Sequence, residues 1–112
     1  MRSTIFVSLF ISVFLFASIS IASQDIRIRF PKGRTSATMT GRVGAGGRVC
    51  YFANAKKGQS FNATLSSKSG KVAIFESGET SYSYVIEVPG DQSVCVDNLA
   101  GATTYNLTVS IR

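Results

Sequence analysis

The sequence contains no histidine and no tryptophan, and only two of its 112 residues are cysteine. Without histidine, the chain has neither a Ser-His-Asp nor a Cys-His arrangement for nucleophilic catalysis. Two isolated cysteines do not make a zinc site, and no clustered, alternating Asp and Asn mark a calcium loop. No motif singles out the carboxylate pair that glycoside hydrolysis needs. We therefore predict a binding or structural protein and no enzyme, with no metal and no cofactor.

A long apolar run occurs only at the start of the chain. Met1–Ser3 is short and basic, Thr4–Phe16 is apolar, and Ser20 and Ala22 are small residues two positions apart. This pattern is typical of a secretory signal peptide over residues 1–22. The run is shorter than the roughly 20 residues of a spanning helix, although an uncleaved anchor is the alternative. We expect a periplasmic or secreted protein without a membrane span, folded as one domain over residues 23–112.

Charge is unevenly distributed along the mature part. It holds 11 basic and 6 acidic residues; ten of the basic ones lie between Arg27 and Lys71, and five of the acids lie between Glu76 and Asp97. A basic face attracts acidic partners, which for an exported protein are anionic glycans, membrane surfaces or an acidic protein cleft. We expect no nucleic-acid partner. The alternative is that scattered lysines and arginines keep a small β protein soluble and protect its strand edges.

The mature sequence alternates between apolar and polar residues with a period of two. Such segments are half-buried strands, and Gly, Pro and Ser turn signals separate them. Eight short strands at this spacing predict an all-β protein, a small antiparallel β-sandwich. We expect the first strand, with Ile26, Ile28 and Phe30 on one side, to pack near the last.

The mature part has an even number of cysteines, Cys50 and Cys95, and in an exported chain this predicts one disulfide. Closing a loop of this length stabilises a fold by about 4 kcal/mol in the chain-entropy model. If Val49 and Tyr51 face the core, Cys50 faces outward, and the same holds for Cys95 between Val94 and Val96; a bridge would then join neighbouring strands of one sheet. The opposite assignment, with Cys50 inward, and two free thiols both stay open.

Two segments, Asn62-Ala-Thr64 and Asn106-Leu-Thr108, match the N-glycosylation sequon. Both asparagines fall on polar strand faces, so a sugar would be accommodated. The pattern is short and arises often by chance.

Several segments share the pattern of a known family. They are Phe30-Pro-Lys32-Gly33, Ser36-Ala37, Gly41, Tyr51, Ala55-Lys56-Lys57-Gly58-Gln59, Pro89 and the closing strand Tyr105–Ile111. Together they resemble the periplasmic inhibitors of goose-type lysozyme, and the strand order with its Gly-Gln turn is similar to pre-peptidase C-terminal domains of secreted bacterial proteins. The resemblance implies a small antiparallel β-sandwich that binds a protein partner.

The loops depart from the inhibitor pattern. The family's Ser-Gly-x-Tyr loop is replaced by Asp91–Val94, and its basic loop before the last strand is the uncharged segment 98–104. The segment Ser77–Tyr82 resembles the Ser-Gly-x-x-Tyr loop of invertebrate-type lysozyme inhibitors with one residue too many, and an ordinary turn followed by a strand tyrosine is the alternative that we favour. The candidate partner-binding residues are Ser77, Gly78, Tyr82, Arg34, Arg42, Arg48, Lys56 and Lys57.

Three functions follow as hypotheses. The first is a lysozyme inhibitor that fills an acidic cleft with a basic, hydroxyl or tyrosine side chain. The second is a stand-alone accessory domain of the pre-peptidase type that binds cell-surface glycan or protein through its basic face. The third is a structural subunit that exposes an edge strand for assembly. The sequence fixes neither the oligomeric state nor the identity of a partner.

Overall fold

The computed structural model describes residues 24–112, and the predicted signal peptide over residues 1–22 lies outside them. The described part contains eight strands and no helix. The strands are β1 (Gln24–Arg27), β2 (Ser36–Val43), β3 (Arg48–Ala55), β4 (Ser60–Ser67), β5 (Val72–Ile74), β6 (Ser81–Val85), β7 (Gly90–Asn98) and β8 (Thr103–Ile111). Residues 24–112 therefore include no helix that is long and apolar enough to cross a bilayer.

The strands form two sheets of four, with the orders β1-β3-β7-β5 and β2-β8-β4-β6. Every neighbouring pair is antiparallel except β1 and β3, which run parallel. The predicted all-β sandwich of about eight strands is confirmed. The expected place of the first strand is wrong: β1 joins β3, and β2 lies beside β8 in the other sheet.

Strand β1 also buries less than its alternation suggests. It ends at Arg27, and Ile26 is 36% exposed, whereas Ile28, just beyond the strand, is 6% exposed. A strand at the edge of a sheet has a neighbour on one side only, so the start of β1 is not covered.

The core lies between the sheets because the odd-numbered residues of β4 and β8 and of β2 point inward. Phe61 and Leu107 are fully buried. Tyr51 of one sheet and Tyr105 of the other share a buried hydrogen bond between their hydroxyls, 2.7 Å long. Gly41 lies against the Tyr105 ring: a Cβ at this position would come within 2.6 Å of the Tyr105 hydroxyl oxygen. The glycine is therefore required by packing.

The disulfide joins Cys50 of β3 to Cys95 of β7. The two residues are directly opposite each other in the antiparallel register, and their Cα atoms are 4.0 Å apart. Val49, Tyr51, Val94 and Val96 are all buried in the core, so the cysteines lie on the other face of the sheet. The predicted cross-strand bridge within one sheet is confirmed.

The outer face of the β2-β8-β4-β6 sheet is made almost entirely of uncharged polar side chains, with Arg42 at one corner and the exposed Val85 at the opposite one. Its polar members are Ser36, Thr38, Thr40, Asn62, Thr64, Ser66, Ser81, Ser83, Thr104, Asn106, Thr108 and Ser110. Two hydrogen bonds cross from β2 to β8 on this face, Thr38 Oγ1 to Thr108 Oγ1 (2.9 Å) and Thr40 Oγ1 to Asn106 Oδ1 (2.6 Å). We name it the polar face.

Candidate functional site

One end of the sandwich collects most of the unpaired positive charge. Strands β1, β3, β6 and β8 end there, and β2, β4 and β7 begin there. Six exposed basic residues occupy its loops: Arg29, Lys32 and Arg34 between β1 and β2, Lys56 and Lys57 between β3 and β4, and Arg112 after β8. We name this region the basic end.

Backbone hydrogen bonds tie the loops of the basic end together. Arg112 and Ser60 exchange two bonds of 2.8 and 3.1 Å, and the N–H of Ile111 donates to Thr35 O at 2.9 Å. The N–H of Gly58 donates to Ile86 O at 2.8 Å, which anchors the β3–β4 turn to the segment after β6. The basic side chains therefore project from a fixed backbone.

Two hydrogen bonds between Lys56 and Gln59 close the β3–β4 turn. The N–H of Gln59 donates to Lys56 O at 3.2 Å, and the N–H of Lys56 donates to Gln59 Oε1 at 2.7 Å. Gly58 has φ +92°, a conformation that residues with a side chain rarely adopt. The pattern Lys-Lys-Gly-Gln thus builds a rigid turn that presents two lysines.

Between these loops lies an open depression of about 190 Å³. Phe30 and Ile111 supply its apolar surface, and Arg34 supplies a cation. Thr35, Asn54 and Gln59 complete the lining. The depression has the mixed character of a contact surface for a polar or acidic group.

Two ion pairs form within residues 24–112, and neither includes one of the basic end's six cations. Arg27 binds Asp91 at 2.6 Å, and Arg48 binds Asp97 at 2.6 Å. The hydrogen bond from Arg27 lowers the pKa of the Asp91 carboxyl, and the same bond raises the pKa of Arg27. None of the six basic-end cations has a carboxylate within 4.0 Å in the described part of the chain. Glu87 directly follows Ile86, the residue whose carbonyl oxygen accepts the hydrogen bond from Gly58.

The predicted partner-binding residues fall in three places. Arg34, Lys56 and Lys57 lie together at the basic end. Arg42 and Arg48 lie at the opposite end, where β2 ends and β3 begins. Ser77, Gly78 and Tyr82 lie on the side of the sandwich, in the β5–β6 connection and in β6.

Arg48 is engaged within the fold. Its Nε and NH2 atoms donate to the two carboxylate oxygens of Asp97, at 2.6 and 3.0 Å. Its guanidinium carbon lies 3.9 Å from the centre of the Phe75 ring. A bidentate ion pair and a cation–π contact hold the side chain over its own sheet.

The Ser77-Gly78 segment is a tight turn. The N–H of Gly78 donates to Ile74 O at 2.7 Å, Ser77 Oγ accepts from the N–H of Glu79 at 3.2 Å, and Gly78 has φ +72°. Tyr82 is half-buried and packs edge-to-face on Phe61, with ring centres 6.1 Å apart. This geometry is that of an ordinary turn followed by a strand aromatic.

Sequence reasoning missed Arg29, Lys32 and Arg112 as members of the basic end. Their charges are visible in the sequence, but their proximity depends on which strand ends meet. The exchange of bonds between Arg112 and Ser60, for example, follows from the pairing of β4 with β8.

The sequence matches no protein-family model and no curated protein. Solved structures do match. A periplasmic inhibitor of g-type lysozyme from Aeromonas hydrophila (PliG) superposes with a TM-score of 0.70 at 18% identity, over 81% of this chain and 98% of that one. This chain has the fold of that inhibitor. The Salmonella Typhimurium PliG gives a TM-score of 0.64 at 20% identity, over 80% and 98% of the two chains.

A second kind of protein shares the architecture. The pre-peptidase C-terminal domain of a Bacillus anthracis collagenase superposes with a TM-score of 0.53 at 16% identity, over 80% of this chain and 94% of that domain. Both resemblances that the sequence indicated are thus confirmed at the level of the fold. At these identities the likeness establishes the shared sandwich, and function has to be argued from this chain's own surface.

Proposed function

We propose that this protein is an exported inhibitor of a lysozyme-type glycoside hydrolase and that it contacts the enzyme with its basic end. The observation that carries the proposal is the set of six exposed cations at one end of an inhibitor-like sandwich, none with a carboxylate within 4.0 Å in residues 24–112. The similarity to PliG, a periplasmic inhibitor of g-type lysozyme, supports the same conclusion.

The chemistry of the enzyme class supports this choice of partner. Glycoside hydrolases hold two acidic residues on either side of the bond that they cleave. A cleft lined by one sign of charge concentrates its electric field and attracts a surface of the opposite sign. Because hydrogen bonds fix the turns of the basic end, Lys56 and Lys57 lose little backbone freedom on docking, and a preorganised surface binds more tightly.

A bacterial lysis assay tests the proposal. The purified protein is titrated against goose-, chicken- and invertebrate-type lysozymes, and we expect protection of the cells from at least one of them at micromolar concentration. Protection from none of the three would contradict the proposed function.

A pair of double variants tests the location. K56A/K57A removes two charges from the basic end, and K68A/K71A removes two charges from the β4–β5 connection at the other end. We expect the first to weaken inhibition about tenfold or more, equivalent to about 1.4 kcal/mol, and the second to leave it within about twofold. Equal effects of the two variants would mean that net charge alone is responsible.

The same basic end supports a second candidate function, binding of an anionic cell-surface glycan. The fold shared with a pre-peptidase C-terminal domain favours this alternative. Binding of this kind weakens steeply with salt, because exposed charges are screened over about 8 Å at physiological ionic strength. Salt-sensitive retention on an anionic polysaccharide, without protection from any lysozyme, would favour the accessory-domain function.

A further inference from the structure

A second exposed region lies on the side of the sandwich where β6 faces the start of β7. It is a groove of about 450 Å³ lined by Tyr82, Tyr84, Val85, Glu87, Val88 and Gln92. Val85 and Val88 are 59% and 76% exposed, which is high for valine. We name this region the lateral groove. It adjoins the basic end, because Ile86 bonds to Gly58 and Gln59 of the β3–β4 turn, but none of its lining residues is one of the six cations.

The backbone edge of β6 borders the lateral groove and is unpaired. β6 is the last strand of its sheet. The N–H of Ile86 donates to Gln59 O and Thr80 O accepts from Leu65, so the even-numbered residues of this strand direct their backbone groups toward β4. Because the direction alternates along an antiparallel strand, Ser81, Ser83 and Val85 direct their N–H and C=O groups away from the sheet.

The edge also lacks the usual protection. Charged side chains, especially lysine, and proline commonly block exposed strand edges. The sequence of β6, Ser-Tyr-Ser-Tyr-Val, contains neither. An extended segment of another protein would find a row of unsatisfied donors and acceptors at this edge.

The walls of the groove are held in place before any ligand arrives. The Tyr84 hydroxyl donates to Gln92 Oε1 at 2.6 Å, and Gln92 Nε2 donates to Val88 O and Gly90 O at 3.0 and 3.1 Å. The Tyr82 and Tyr84 ring centres lie 5.1 Å apart, and Tyr84 stacks on Phe61 at 5.2 Å. Binding therefore requires little reorganisation of side chains.

The charge that lines the groove is negative. Glu87 lines it, and no lysine or arginine does. Glu76 lies close enough that, after burial, its carboxylate contributes to raising the pKa of Tyr82 and of Tyr84. Within residues 24–112 neither acid has a basic group within 4.0 Å. The charge of Glu76 contributes, as the smallest of several causes, to raising the pKa of Arg48, but the guanidinium of Arg48 is bound to Asp97. Aromatic rings beside carboxylates attract lysine and arginine.

We propose that the lateral groove binds an extended segment of a partner protein that carries lysine or arginine, and that this segment adds to β6 as a fifth strand of its sheet. The backbone of the segment bonds to Ser83 and its neighbours, its apolar side chains cover Val85 and Val88, and its cations lie near Glu87 and the tyrosine rings. The proposal is independent of the lysozyme hypothesis.

The test uses a fluorescent acetyl-(Val-Lys)₃-amide peptide and fluorescence anisotropy with the whole protein. We expect a Kd of about 100 μM, or about −5.5 kcal/mol. The matched ligands are the same peptide N-methylated at every backbone nitrogen, which cannot donate to β6 from either edge, and acetyl-(Val-Glu)₃-amide, which reverses the charge. Each should bind at least about fivefold more weakly.

Variants of the protein locate the binding. Ser83→Pro removes an N–H at the free edge of β6, where proline is tolerated, and should weaken binding at least about fivefold. Ser36→Pro is the matched control, because Ser36 directs its N–H to the free edge of β2, and it should leave the Kd unchanged. Glu87→Lys should weaken binding, whereas Glu79→Lys on the β5–β6 turn should not.

Several results would overturn the proposal. They are the absence of binding at about 1 mM peptide, equal binding of the N-methylated peptide, equal binding of the glutamate peptide, or equal effects of Ser83→Pro and Ser36→Pro. The K56A/K57A variant removes two cations near the groove and should bind the cationic peptide at least as tightly as the wild type does, so a failure of the inhibitor function and a failure of this proposal are distinguishable.

Discussion

The contact between Gly41 and Tyr105 gives the sharpest stability prediction. In Gly41→Ala, the new Cβ would lie 2.6 Å from the Tyr105 hydroxyl oxygen and 2.8 Å from its Cζ. Overpacking of this kind costs about 1–3 kcal/mol. Displacing the ring also weakens its buried hydrogen bond to Tyr51, which adds about 1 kcal/mol. Alanine regains about 0.5–1 kcal/mol over glycine in a strand.

The net expectation is a loss of about 2 kcal/mol in the free energy of unfolding, or about 8–16 °C in Tm for a domain of this size. Urea unfolding monitored by circular dichroism, with the disulfide intact, measures it. Gly44→Ala is the matched control: its Cβ would meet nothing within 4 Å, so a change within about 0.5 kcal/mol is expected.

A double-mutant cycle isolates the contact. Tyr105→Phe removes the hydroxyl oxygen that the new Cβ would approach, so Gly41→Ala should cost at least about 0.5 kcal/mol less in that background. If Gly41→Ala alone is no more destabilising than Gly44→Ala, the Tyr105 ring moves aside without cost and the packing argument is refuted.

Three further predictions concern covalent and titratable groups. Replacing Cys50 and Cys95 by alanine opens a bridge with a sequence separation of 45 and should cost about 4 kcal/mol in urea unfolding; a loss below about 2 kcal/mol would contradict the chain-entropy estimate. Burial, together with the hydrogen bond shared with Tyr51, raises the pKa of Tyr105 far above its usual value. The stability that the neutral Tyr105 contributes is therefore complete below the unfolded pKa of about 10 and should be lost as the pH rises toward the folded value. Tyr105→Phe should flatten this fall in the free energy of unfolding, and an unchanged slope would argue against assigning it to Tyr105. The hydrogen bond from Arg27 lowers the pKa of Asp91. The stability that this ion pair contributes is therefore present above the unfolded pKa of about 4 and is lost as the pH falls through the folded value. Asp91→Asn should remove this acid dependence from thermal unfolding measured as a function of pH, and a profile identical to that of the wild type would contradict the assignment.

The local structure of this chain was accessible from its sequence wherever a strand has one buried face, as β4 and β8 have. The alternation around Cys50 and Cys95 placed both cysteines opposite the core, and the register confirmed it. The parallel pairing of β1 was not accessible, because a four-residue edge strand with exposed side chains carries no pattern that names its neighbour.

The candidate surfaces were only partly predictable for the same reason. Lys56 and Lys57 were recognised, but the arrival of Arg112 beside them depends on which strands pair. Val88 shares its parity with the buried Ile86, yet it is 76% exposed, because β6 ends at Val85. Alternation predicts burial only while the strand continues.

The polar face has a consequence for the chemistry that this protein would undergo in a secretory pathway that attaches sugars to asparagine. Asn62 and Asn106 are both exposed on it, on the adjacent strands β4 and β8. Oligosaccharides added there would stand over the broad neutral side of the molecule, and the one on Asn62 would lie beside Ser83, its register partner on β6. A sugar on Asn106, two strands away from β6, would leave that edge free, whereas a sugar on Asn62 would compete with an added strand.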